Sequence, residues 1–127
     1  MTALSDCVAV IEDEPFIAEL WSMHLENMGL TVCGIAATAE SAIALAKEHR
    51  PSLVIMDMRL RGPGDGVDAA LAIDQSVGSK IIFITGSREH ETLTRMNTAN
   101  HAAVLYKPVS DRQFKAAVLR ALEKSEA

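Results

Sequence analysis

The sequence predicts an α/β fold, a five-stranded parallel sheet with helices on both faces. Five short apolar runs recur along the 127 residues, each continuous rather than alternating, as in strands covered on both sides. Stretches with helical apolar spacing separate them, so strand and helix alternate five times. Apolar residues make up 49% of the chain and aromatic ones only 4%, so the core is built from small and branched aliphatic side chains.

The runs are Cys7-Val8-Ala9-Val10-Ile11, Thr31 to Ala36, Ser52-Leu53-Val54-Ile55-Met56, Lys80 to Ile84, and Ala102 to Tyr106. The first helix opens after Glu14 on Pro15, a residue suited to a first turn, and carries Phe16, Ile17, Leu20, Trp21, Leu25 and Met28 until Gly29 stops it. Trp21 is read as core. The second starts near Ala39 behind the cap Thr38, turns Ala42, Ile43 and Ala46 to one side, and must end before Pro51. The third runs from about Val67 to Ser76 and is closed by Gly78. The fourth, from Ser87 to about Thr98, has only Leu93 and Met96 as large anchors and is predicted to be the least firmly packed. The last begins at a capping box, Ser110 to Gln113, with Phe114, Val118, Leu119 and Leu122 on one stripe. One composition regime without a linker predicts a single domain over residues 1–127, with a core of about 6–124 and an unstructured end at Lys124 to Ala127.

The net charge of −5, from 12 basic and 17 acidic side chains, disfavours an unaided grip on nucleic acid or anionic lipid and favours cations or basic partner surfaces. No run approaches the roughly 20 apolar residues of a membrane span, and the start lacks the pattern of an export signal, so a cytoplasmic location is expected. Cys7 and Cys33, each inside an apolar run, read as buried free thiols. His24, His49, His90 and His101 are scattered without ligand spacing, and Asp65, Asp68 and Asp74 are expected to be solvated.

In an open parallel sheet, ligands bind beyond the carboxyl ends of the strands. Glu12, Asp13 and Glu14 follow the first predicted strand, Asp57 the third, Thr85-Gly86-Ser87 the fourth and Lys107-Pro108 the fifth. Gathered carboxylates repel one another, and a hard divalent cation, magnesium before others, supplies the counter-charge. An aspartate beside such a cation can attack phosphorus and become an acyl phosphate. Lys107 offers a point charge for a phosphoryl oxygen, the Thr85 hydroxyl a donor, and Gly86 room for the incoming group. Taken singly, the acidic run is equally a charge favouring a helix N-terminus, Asp57 a loop starter and Lys107-Pro108 a solvated turn. Their joint placement at four strand ends makes one phosphoryl-accepting constellation.

The stretches Val8 to Pro15, Leu53 to Leu60, Ile81 to Ser87 and Leu105 to Pro108 resemble the four signatures of the receiver domain of two-component response regulators, in a single-domain, chemotaxis-regulator-like form without an output domain. The resemblance covers about residues 6–124. It implies the flavodoxin-like strand order 2-1-3-4-5 and a phosphoryl group passed to Asp57 from a sensor histidine kinase or histidine phosphotransfer protein. It also implies magnesium bound by Asp13 and Asp57 directly, by Glu12 through water and by the backbone carbonyl of Arg59. Thr85 and Lys107 would hold the phosphoryl oxygens, and the Lys107-Pro108 bond would be cis. A downstream protein target would be engaged through the face of helix 4, strand 5 and helix 5, a surface that also allows a homodimer.

The chain departs from the family's usual pattern in three places. Arg61 stands where proline is common, Asp65-Gly66 comes one residue late, and Val104 occupies the position of an aromatic switch. Tyr106, two residues on and on the same strand face, is offered as a partial replacement; the alternative is a tyrosine packed under the last helix. The competing functions are an aspartyl-phosphate phosphatase of haloacid-dehalogenase type, which needs an acid where Arg59 stands, and an interaction module that never receives phosphate. On the leading reading the chain is a phosphoacceptor with self-catalysed phosphorylation and dephosphorylation, with no separate substrate turnover.

Overall fold

The computed structural model describes residues 3–123; the expected unstructured end at 124–127 lies outside them. Ten elements alternate: β1 (Ser5–Ile11), α1 (Pro15–Asn27), β2 (Thr31–Ala36), α2 (Ala39–His49), β3 (Pro51–Asp57), α3 (Gly66–Ser76), β4 (Lys80–Thr85), α4 (His90–Met96), β5 (Ala103–Tyr106) and α5 (Asp111–Leu122). The strands form one parallel sheet in the order β2-β1-β3-β4-β5. This is the fold class and strand order expected.

The continuous apolar runs follow from a sheet that is covered twice. Successive strand residues point to opposite faces. Ala9, Ile11, Val54, Met56, Ile81 and Phe83 pack against α2, α3 and α4, whereas Val8, Val10, Leu53, Ile55, Ile82 and Ile84 pack against α1 and α5. All twelve are wholly buried. Trp21 and Phe114 stack with ring centroids 6.2 Å apart between α1 and α5.

Three expectations are corrected. On α1, Phe16 is 86% exposed and Leu20 48%, because the helix meets the sheet through Ala18, Trp21, Ser22 and Leu25 instead. Ser22 tolerates burial by donating its hydroxyl to the Ala18 carbonyl at 2.9 Å. Leu119 on α5 likewise faces outward. The fourth helix starts at His90 rather than Ser87. Thr85 Oγ1 accepts the Ser87 N–H at 3.0 Å and Ser87 Oγ the Glu89 N–H at 3.2 Å, and such local bonds compete with helix formation. Finally, Cys7 is buried but Cys33 only half-buried, because β2 is the edge strand of the sheet and its residues Val32 to Gly34 are all only partly covered.

Candidate functional site

Strand register gathers the predicted residues. Ile11 is paired with Met56, Asp57 with Ile84 and Thr85 with Tyr106, so Glu12, Asp57, Thr85 and Lys107 stand side by side where four adjacent strands end. Backbone bonds lock the ends together: Glu12 N–H to Ala36 O at 2.9 Å, Met58 N–H to Ile84 O at 3.2 Å and Lys107 N–H to Thr85 O at 2.8 Å. Glu12, Asp13, Asp57, Arg59, Thr85 and Lys107 all line one cavity of about 1050 Å³. The Lys107–Pro108 peptide is cis, as the resemblance implies.

The carboxylates of Glu12, Asp13 and Asp57 each present an oxygen within 4.8 Å of the others. Glu12 and Asp57 are buried, and Lys107 Nζ lies 3.3 Å from Asp57 Oδ1 and 3.8 Å from Glu12 Oε1. One ammonium thus faces two buried acidic groups, with Asp13 beside them. Glu12 Oε2 accepts the Glu14 N–H at 3.1 Å, but the buried Oε1 has no hydrogen-bond partner among the described residues. Burial first, and the adjacent Asp57 carboxylate second, push the Glu12 carboxyl up to about 8. Excess negative charge and a buried oxygen without a donor fit a hard cation with oxygen ligands, which Glu12, Asp13 and Asp57 are placed to hold.

The loop after β3 is built for close approach. Gly66 N–H donates to Met58 O at 2.9 Å, and a Cβ on Gly66 would lie 2.2 Å from the Asp57 carbonyl oxygen, so only glycine lets α3 start this near the site. A Cβ on Gly86 would meet nothing within 4 Å, so the room expected beside Thr85 is present. Arg61 has a backbone use that proline lacks: its N–H donates to Ala37 O at 3.0 Å, pinning the loop to the end of β2.

Two charged contacts were not legible in the sequence. Asp65, expected to be solvated, is half-buried, lines the cavity and caps α3 by accepting the N–H groups of Val67 and Asp68. Arg95 of α4 is ion-paired to Asp65 and, at 3.3 Å, to Asp68. Burial raises the Asp65 carboxyl, but Arg95 and the α3 backbone N–H groups outweigh it and hold it below its ordinary value. The second contact is Arg88, whose guanidinium sits over the Tyr106 ring, 4.0 Å from its centroid. Only the cap had a signal, an Asp followed three residues later by a polar residue at a helix start. Of the predicted switch positions, Val104 packs against the core cluster under α2, α3 and α4, and Tyr106 lies beneath Arg88, a partner the sequence did not indicate.

Comparison with known proteins agrees with this geometry. The family described as response regulator receiver domain matches residues 8–119. The transcriptional regulatory protein PdtaR of Mycobacterium tuberculosis is 33% identical over 103 residues, covering 81% of this chain and 50% of that protein. The phyllosphere-induced regulator PhyR of Methylorubrum extorquens is 35% identical over 83 residues, covering 65% of this chain and 31% of its own length. The chain therefore spans half or less of these relatives. Among solved structures, the signal receiver domain of a modulated diguanylate cyclase from Desulfovibrio desulfuricans superimposes with a TM-score of 0.84 at 31% identity, covering 91% of each chain. The receiver domain of PhyR from Erythrobacter litoralis gives 0.83 at 26% identity, covering 98% of this chain and 96% of that one. With its fold, strand order and family signatures in agreement, this chain belongs to the response regulator receiver domains of two-component systems.

Proposed function

We propose that Asp57 accepts a phosphoryl group from the histidine of a sensor kinase or phosphotransfer protein in a magnesium-dependent reaction, and that the product alters contacts with a downstream protein through the face of α4, β5 and α5. The observation that carries this reading is the setting of Asp57: buried, with Lys107 Nζ at 3.3 Å and two further carboxylates within 4.8 Å. An Asp57 oxygen attacks phosphorus, the bond from phosphorus to the donor's imidazole nitrogen breaks, and an acyl phosphate results. Glu12, Asp13 and Asp57, with the Arg59 carbonyl, would hold magnesium, which when bound offsets their negative charge and that of the phosphoryl oxygens.

Lys107 supplies the mobile counter-charge, giving up its carboxylate contacts for a phosphoryl oxygen. Thr85 keeps its hydroxyl proton for the same group while its oxygen accepts from the Ser87 N–H. Apolar residues exposed on α1 beside the cavity, Phe16 and Leu20 with Ile17 on the cavity wall, offer the phosphodonor a surface to dock on.

Intact-mass spectrometry after incubation with magnesium and acetyl phosphate, or with a cognate kinase and ATP, tests the reading. A labile phosphoryl adduct is expected in the native chain and not in Asp57→Asn. No adduct from either donor, or an adduct that survives in Asp57→Asn, overturns it.

A further inference from the structure

Arg88 stands three residues beyond Thr85 and lines the same cavity as Asp57, Thr85 and Lys107. Its neighbours in the loop are held by Ser87 N–H on Thr85 Oγ1 and Glu89 N–H on Ser87 Oγ. The side chain itself has no ion-pair partner among the described residues. It rests on the face of Tyr106, 4.0 Å from the ring centroid, and Tyr106 is the residue paired with Thr85 across β4 and β5. Arg88 therefore touches both a ring on β5 and the cavity at the end of β4.

A cation over a half-exposed ring is weakly held. A phosphoryl group on Asp57 brings nearly two negative charges and three acceptor oxygens, matched to the planar donors of arginine. Its arrival gives the guanidinium a stronger partner in the same cavity. We propose that Arg88 is a phosphoryl-positioning residue whose resting place is the Tyr106 ring, and that its exchange from ring to phosphoryl oxygen uncovers Tyr106 on the face shared by β5 and the loop before α4. This inference rests on the assignment of Asp57 as phosphoacceptor and adds the link from that residue to the surface. In this chain Val104 is aliphatic, and the aromatic that responds is covered and uncovered by a cation.

The test uses magnesium with beryllofluoride, a non-covalent stand-in for the phosphoryl group, on the full chain. Tyr106 is the one tyrosine of the sequence, so selective ring labelling gives a single set of NMR signals. These are expected to move in the native chain when the adduct forms; in Arg88→Gln they start displaced and stay in place. Fluorine NMR titration is expected to give an adduct about five- to tenfold weaker in Arg88→Gln, through loss of charge-assisted hydrogen bonds. In Tyr106→Leu the adduct should be about two- to fivefold tighter, because the resting place is gone; that gain should vanish in the double variant. Ring signals that stay still while the native adduct forms, an undiminished affinity in Arg88→Gln, or a Tyr106→Leu effect that persists without Arg88 would each overturn the inference. Failure of both beryllofluoride and acetyl phosphate to modify the native chain would overturn it together with the Asp57 assignment.

Discussion

Glu12 carries an electrostatic cost that the fold imposes. Its carboxyl is raised from 4.5 to about 8 by burial and by Asp57, so the folded chain binds this proton more tightly than the unfolded chain does. That contribution to stability is complete below pH 4.5 and is lost as pH rises through about 8. In metal-free buffer the unfolding free energy is expected to fall across this window, by at most about 1.4 kcal/mol per pH unit from this group. Glu12→Gln should flatten the profile, as measured by urea denaturation at a series of pH values. An unchanged slope in Glu12→Gln would show that another group sets it. Gly66 makes the opposite kind of demand, for space: a methyl group there would meet the Asp57 carbonyl oxygen at 2.2 Å. Gly66→Ala is expected to cost about 3 kcal/mol in the same assay, since neither backbone can retreat without moving the start of α3. Gly86→Ala, which meets no neighbour within 4 Å, is the control that should fold normally.

Among the elements, α1 and α4 bear most directly on how the site is reached. α1 exposes Phe16, Leu20 and Met23, residues spaced so that they fall along one side of the helix, while Ile17 reaches the cavity. An apolar strip this close to the proposed phosphoacceptor suits a helical phosphodonor better than a small one. Leu20→Glu should therefore slow phosphorylation by the cognate phosphodonor about tenfold or more while leaving the acetyl phosphate reaction unchanged; equal rates from the protein donor in both chains would remove α1 from the docking surface. α4 is held differently. Met96 is its only buried residue, and its tie to α3 is the pairing of Arg95 with Asp65 and Asp68. A short helix fastened by half-exposed charges is weakly anchored, which agrees with its reading as the least firmly packed helix and suits the change of contacts proposed for that face.

For the whole molecule, the −5 charge is unevenly placed. Two buried carboxylates share one lysine at a single sheet edge, and a third carboxylate lies beside them. Filling that edge with a divalent cation should stabilise the entire fold by mass action, because the unfolded chain has no such cluster. Millimolar magnesium is expected to raise Tm by several degrees, an increase on the order of 1–3 kcal/mol, and Asp13→Asn should abolish most of the gain. A Tm indifferent to magnesium would remove the cation from the proposed chemistry.

Much of this was legible along the chain. Continuous apolar runs mark strands covered on both faces, helical spacing marks the connections, and a charged or hydroxyl residue directly after a strand lands at the carboxyl edge of a parallel sheet. Those are local or periodic facts, so the position of Glu12, Asp13, Asp57, Thr85 and Lys107 at that edge could be read from the residues alone. The exposed side of α1 was not, because helical spacing counts apolar positions without saying which of them meet the sheet. The start of α4 was misplaced because the hydroxyls of Thr85 and Ser87 take backbone N–H groups that a helix would need. The pairing of Arg95 with Asp65 and the stacking of Arg88 on Tyr106 join residues far apart in sequence. Long charged side chains have several partners within reach, and only the packed geometry decides which one each takes.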